Sequence, residues 1–223
     1  MGVQFVSSLL TLLLSTSISC ERVYSVCEER KNDKSAYDFT VKDVDGNLKS
    51  FEFTPQYKEL NALVKEFQNL NLPIKIIGFP CNQFAHQEPA ANKTELLNGL
   101  RYVRPGNQFV PLFDLMNKTD VNGENESVIY TYLKDLCPIP TDATFEVEEL
   151  FWKPIKPYDI SWNFEKFIID TNGTPRLRFR PKVPPLEIKE ILVELTKKTS
   201  WKPGSNHFIE TRLKAVEEKF SEK

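Results

Sequence analysis

Apolar residues recur along this chain with two spacings, every second residue and every third or fourth, and the alternation between them predicts the order of elements. Tyr37 to Val41 alternates as a strand does. Asp45-Gly46 is a hairpin turn signal, and Leu48 to Phe53 reads as the returning strand. From Gln56 to Leu70 the stripe Tyr57, Leu60, Leu63, Val64 and Phe67 is helical, and Asn71 and Pro73 end it. Ile74 to Phe79 reads as a buried strand stopped by Pro80. Thr94 to Val103, with Leu96, Leu97 and Leu100, is a second helix closed by Arg104-Pro105-Gly106. Glu126 to Cys137 is a third helix, carrying Val128, Ile129, Tyr132, Leu133 and Leu136 on one face. Phe164 to Asp170 and Arg176 to Arg180 form an antiparallel pair turned at Thr171-Asn172-Gly173, and Pro184-Pro185 opens a helix bearing Leu186, Ile188, Ile191, Leu192 and Leu195.

Strands alternating with helices and ending in a hairpin plus helix indicate one three-layer α/β domain over residues 37–199. Residues 21–36 are polar and are expected to be a poorly ordered lead-in. The tail 200–223 breaks at Trp201-Lys202-Pro203-Gly204 and then places Ile209, Leu213, Val216 and Phe220 at helical spacing. That amphipathic helix either packs back on the domain or meets a partner. Pro138 to Asp159 is long for a loop inside a compact domain, which suggests a role in contacts with a partner or another subunit.

Composition narrows the function classes. A chain of 223 residues suits one well-buried domain, and a net charge of −2 gives no argument for nucleic acid or an anionic membrane surface. Phe5 to Ile18 is apolar or hydroxylated and too short to span a bilayer, which takes roughly 20 apolar residues. Small residues follow up to Cys20, then charge begins. Residues 1–20 therefore read as a secretory signal peptide, although no Lys or Arg precedes the apolar run. Sequons at Asn92, Asn117, Asn125 and Asn172 agree with a glycosylated extracellular protein. Removing Cys20 with the signal would leave Cys27, Cys81 and Cys137, an odd number that implies a free thiol or an intermolecular link. The cysteine spacing is wrong for zinc, so no metal is expected. His86 and His207 are the only histidines and lie far apart in sequence, and a Ser-His-Asp or Cys-His site resting on either has little support.

The candidate chemistry lies in two segments. Gly78 to Glu88 leaves a strand at its carboxyl end, where open α/β sheets place ligands, and it offers the Gln87 amide. Trp162 and Asn163 add an indole N–H and a second amide. Three neutral donors converging on one point would favour a thiolate or selenolate over its protonated form. A Trp-Asn pair is also ordinary packing beside a turn.

The motifs Gly78-Phe79-Pro80-Cys81-Asn82-Gln83-Phe84, His86-Gln87-Glu88, Tyr102-Val103-Arg104-Pro105-Gly106, Asp120-Val121-Asn122-Gly123 and Asp159-Ile160-Ser161-Trp162-Asn163-Phe164-Glu165-Lys166-Phe167 resemble the glutathione peroxidase family in this order. With the signal segment and the long loop, the chain is most similar to the secreted, plasma-type branch. The resemblance implies a thioredoxin-like fold with a mixed central sheet flanked by helices, and a homotetramer with the long loop at its subunit contacts. It also implies two-electron reduction of hydrogen peroxide and organic hydroperoxides with glutathione or another thiol, without a further cofactor. Gln87, Trp162 and Asn163 match three members of the family's tetrad. Arg104 matches an arginine near the mouth of the site. It would pair with a glutathione carboxylate or form a surface or interface ion pair.

The fourth member, a selenocysteine or cysteine, is missing. Aligned without gaps, its position holds Phe51, and the family has about two dozen more residues here, enough for a central strand and its turns. Cys81 matches a family cysteine that is not the nucleophile, and Cys137 also has a counterpart in secreted members. The resolving cysteine of the thiol-dependent branch has no equivalent. Two readings follow, a secreted peroxidase shorn of its nucleophile segment or a non-catalytic secreted paralogue that binds or builds. An unrelated thioredoxin-like adaptor is a third. Loss of the strand should leave two sheet edges without partners.

Overall fold

The helical stripe beginning at Tyr57 is helix α1, Thr54–Asn69, which buries Leu63, Val64 and Phe67. The structure, a computed structural model, describes residues 22–28, 54–140, 150–197 and 201–220. The signal segment and the hairpin expected over 37–53, with Phe51, lie outside the described residues. Asn71 ends α1 in the left-handed region, at φ 52°. There the Leu72 N–H donates to the Phe67 carbonyl.

The remaining elements are β1 (Tyr24–Val26), β2 (Ile77–Gly78), α2 (Lys93–Asn98), β3 (Asp114–Leu115), α3 (Val128–Leu136), β4 (Lys166–Ile169), β5 (Pro175–Phe179), α4 (Lys189–Thr196) and α5 (His207–Phe220). A π-helical turn, Gly99–Val103, continues α2, and a 3-10 turn, Pro185–Ile188, opens α4. The helix expected over 94–103 is thus two conformations in series. Leu96 and Leu100 are buried, whereas Leu97 is exposed.

Strand pairing departs from one continuous sheet. β1, β5 and β4 form an antiparallel sheet in the order β1-β5-β4, while β2 and β3 form a separate parallel pair. Among the described residues, β4 and β2 each have a strand neighbour on one side only. Two such edges are what the sequence analysis expected, here counted among the described residues alone. The buried strand expected over Ile74 to Phe79 is two residues long, Ile77–Gly78, with Ile77 45% exposed. A parallel strand reads as a continuous apolar run because a full sheet covers both faces, and among the described residues β2 pairs with β3 alone.

The β4–β5 hairpin follows its turn chemistry. Asp170 Oδ1 accepts hydrogen bonds from the backbone N–H groups of Asn172 (2.8 Å) and Thr174 (3.0 Å), and Gly173 adopts φ +74°.

One expectation is corrected by β1. Residues Tyr24–Val26 belong to the stretch read as a poorly ordered lead-in, yet they pair with Phe179, Arg178 and Leu177. Val23, Ser25 and Cys27 are buried, an alternation that the surrounding charged residues concealed. Cys27 is bonded to Cys137 at the end of α3, across 110 residues. Cys81 is therefore the free thiol among the described cysteines. The tail resolves in favour of packing back. Ile209, Leu213 and Val216 of α5 join Trp201, Ile191 and Leu195 in a core with Val23, Leu177 and Phe179. No described helix is long and apolar enough to cross a membrane.

Candidate active site

The loop after β2 is anchored at Phe84, which is buried and touches both tryptophans of the neighbouring loop. Its ring centroid lies 5.7 Å from Trp152 and 5.8 Å from Trp162. Phe84 also bridges to Leu150, so the described part of the long loop packs against the candidate site. Ala85 and His86 then turn through the left-handed region at φ 49° and 52°. The Gln87 N–H closes the turn on the Phe84 carbonyl at 3.0 Å. That brings the Gln87 side chain to the second segment, where Asn163 Nδ2 donates to Gln87 Oε1 at 3.0 Å.

Of the residues singled out in the sequence, Gln87 and Asn163 are thus brought into contact across 76 positions. Trp162 adjoins them, packed in the apolar cluster of Phe84, Val121, Trp152 and Ile160. Arg104 stands half-buried at the end of the π-helical turn, on a different element. His86 lies against Phe151 with centroids 4.0 Å apart and the rings tilted by 42°, and His207 begins α5. Phe164, directly after Asn163, is held at φ 64°, a conformation that costs a bulky residue about 1–3 kcal/mol and is tolerated when its surroundings fix it. Its ring meets Tyr57 of α1 edge-on at 5.0 Å.

Cys81 offers no alternative nucleophile. Burial pushes its thiol up to about 11, against smaller opposing effects of backbone hydrogen bonds, so its reactive thiolate is suppressed at neutral pH. Beside Gln87, Glu88 is also buried, and burial pushes its carboxyl up to about 8, partly offset by Lys118.

Sequence reasoning missed the framework that holds the two loops. Lys134 of α3 is fully buried. Its Nζ donates to Asp159 Oδ1 (2.9 Å), Glu126 Oε2 (2.6 Å), Asn122 Oδ1 (3.1 Å) and the Val121 carbonyl (2.9 Å). Asp159 accepts in turn from Trp152 Nε1 at 2.8 Å and the Lys156 N–H at 2.9 Å. Asn122 exchanges two bonds with the backbone of Ile160, and Gln83 does the same for the backbone of Asn122. The motif Asp120 to Gly123 therefore ties the Gln87 loop to the Trp162 loop. Gly123 has φ +84°, and a Cβ there would lie 2.9 Å from the Lys153 carbonyl, so the tie also requires glycine. Burial alone would raise the Glu126 carboxyl, but hydrogen bonds from Lys134 and Lys156 hold it below the usual carboxylate range.

The fold agrees with that of a solved structure. The structure of Trgpx in its apo form superposes with a TM-score of 0.50 over 75% of this chain and 98% of that one, at 24% identity. A family model for glutathione peroxidase matches residues 48–134. The rat (Rattus norvegicus) epididymal secretory glutathione peroxidase is 50% identical over 136 residues, 61% of this chain and 60% of that protein. Rat glutathione peroxidase 6 is 44% identical over 154 residues, 69% of this chain and 68% of that protein. Bovine (Bos taurus) glutathione peroxidase 3 is 45% identical over 149 residues, 66% of this chain and 65% of that protein. The chain belongs to the glutathione peroxidase family, with the thioredoxin-like α/β fold of that family. The matched region spans about 60% of the length of the first of these relatives.

Proposed function

We propose that this chain carries the donor half of a secreted peroxidase site that reduces hydrogen peroxide or organic hydroperoxides with glutathione. The observation that carries the reading is the hydrogen bond between Asn163 and Gln87 beside Trp162, held by a buried polar framework. A scaffold with no chemistry to serve would have little need for these amides in register, which favours a peroxidase lacking its nucleophile segment over a paralogue that only binds. The nucleophile would be a cysteine or selenocysteine supplied ahead of Thr54. It would attack the peroxide oxygen and become a sulfenic or selenenic acid, releasing water or alcohol, and two thiols would then reduce it while forming one disulfide. Arg104 is our candidate for a glutathione carboxylate.

The test is a coupled peroxide assay on two proteins. The 223-residue chain should show no glutathione-dependent turnover, because its described free thiol, Cys81, is buried and held protonated. A version with a cysteine-bearing segment restored before Thr54 should turn over and lose about 100-fold on Trp162→Ala or Gln87→Ala, the usual loss for one preorganised donor. Turnover by the unrestored chain, or its absence from a folded restored chain, would refute the reading.

We also propose an extracellular, N-glycosylated protein that assembles with copies of itself. Asn92, Asn125 and Asn172 are exposed, whereas Asn117 is half-buried. Phe151, Ile155 and Tyr158 on the described part of the long loop are exposed and are our candidates for the contact between copies. Light scattering before and after enzymatic deglycosylation of the secreted protein reads both features. A mass of one unglycosylated chain would count against both.

A further inference from the structure

Arg178 on β5 is fully buried and has few polar atoms left to satisfy. Its Nε donates to Glu165 Oε2 at 2.6 Å. Nη1 donates to the carbonyls of Cys137 (3.1 Å) and Tyr158 (3.0 Å), and Nη2 to the carbonyl of Asp159 (2.9 Å). Four of the five guanidinium N–H groups are therefore directed at named acceptors, and the face of the group lies 5.3 Å over the Phe167 ring. These acceptors come from only two places. One is Cys137, at the end of α3 and bonded to Cys27. The others are Tyr158, Asp159 and Glu165, which bracket the loop carrying Trp162 and Asn163. Glu165 completes the link, because its second oxygen, Oε1, accepts from the backbone N–H of Ser161 at 2.6 Å and from the Ser161 hydroxyl. Ser161 immediately precedes Trp162.

We propose that Arg178, seated on the carbonyl of disulfide-bonded Cys137, is a positioning residue for Trp162 and Asn163, and that the Cys27–Cys137 crosslink fixes their placement through it. The proposal rests on the reading that Trp162 and Asn163 serve the site. The planar fork is essential to this role. It reaches one acceptor on the crosslinked helix end and three on the loop at once, whereas a lysine ammonium has three donors on a flexible stem and no fixed plane. The crosslink prevents the Cys137 end of the bridge from drifting. Without it, hydrogen bonds alone, such as that from the Glu28 N–H to the Leu136 carbonyl, would hold the end of α3 to the strand that pairs with β5.

The experiment uses the full 223-residue chain and reads the assigned Trp162 indole N–H and Asn163 side-chain amide signals by NMR, with thermal unfolding alongside. Arg178→Lys and the double variant Cys27→Ser/Cys137→Ser should each shift or broaden both signals. Their combination should move them no further than Arg178→Lys alone, because both changes act on one link. Arg176→Lys is the control. Arg176 is buried on the same strand and paired with Asp170 at 2.8 Å, so its replacement should cost stability and leave both signals in place. If Arg178→Lys does not fold, the cysteine double variant decides alone. Unmoved signals in a folded Arg178→Lys or cysteine variant, or independent additive effects of the two, overturn the proposal. Peroxide turnover by the restored chain is a separate readout, so failure of the site reading would be recognised separately.

Discussion

Lys134→Met should remove a large share of the stability of this fold, with a loss of about 3–5 kcal/mol measured by urea or thermal unfolding, the range expected when one partner is taken from a buried ion pair. Folded domains commonly hold only about 5–15 kcal/mol in total, so the variant should unfold at a clearly lower temperature than the parent. Methionine fills the same volume and supplies no donor. The Asp159 carboxylate, fully buried, would keep the Trp152 and Lys156 N–H groups but lose its cation. The oxygens of Asn122 and Val121 would lose a donor as well. Adding Asp159→Asn should recover part of the loss, because the uncompensated charge is then gone. A loss below about 1 kcal/mol for Lys134→Met would show that water or a neighbouring cation replaces the ammonium.

The second large effect has the opposite sign. Glu88→Gln should stabilise the protein at alkaline pH and leave it unchanged near pH 4. The Glu88 carboxyl is raised by burial from 4.5 to about 8. Below 4.5 it is protonated in both folded and unfolded chains and costs nothing. Between 4.5 and 8 the unfolded chain ionises while the folded chain holds its proton, so stability falls as pH rises. Above 8 the carboxylate is charged in both states and the whole cost remains. Glutamine avoids that cost, and the gain at pH 9 should approach about 4–5 kcal/mol as an upper figure. The comparison must be between variant and parent at each pH, because Lys166 works in reverse. Burial lowers its ammonium from 10.5 to about 7, so its contribution to stability rises as pH increases from 7 to 10.5. Equal stability of variant and parent at pH 9 would mean that Glu88 is hydrated in the folded protein.

What the sequence made legible follows from which residues signal their surroundings. The stripes of α1 and α3 and the Asn172-Gly173 turn are local patterns, and the structure keeps them. Gln87 and Asn163 were identified from motifs and do meet. Lys134 and Arg178 were invisible for a physical reason. A lysine on an amphipathic helix normally marks the solvated face, and Arg176 and Arg178 alternating with Leu177 and Phe179 normally mark a half-exposed strand. In this fold every residue of β5 is buried, because the tail covers the face of Leu177 and Phe179, while the Tyr158–Glu165 loop and the end of α3 cover Arg178 on the face that the charges seemed to leave to water. Their partners come from distant positions, 25 residues away for Asp159 and 41 for Cys137, which no local spacing encodes. The strand β1 was hidden likewise, since three residues beside a charged stretch carry too little pattern.

The bond between Cys27 and Cys137 divides the molecule topologically. It closes a covalent ring that contains α1, β2, α2, β3 and α3, and with them Gln87. Trp162 and Asn163 lie on the open arm that leaves the ring after Cys137. Closing a ring of this size restrains the unfolded chain by about 5 kcal/mol in the chain-entropy account, and that restraint acts only on the ring. The two halves of the candidate site thus belong to segments with unequal conformational freedom. Their meeting is a docking event, made by hydrogen bonds and packing alone, which the arm can undo while the ring stays closed.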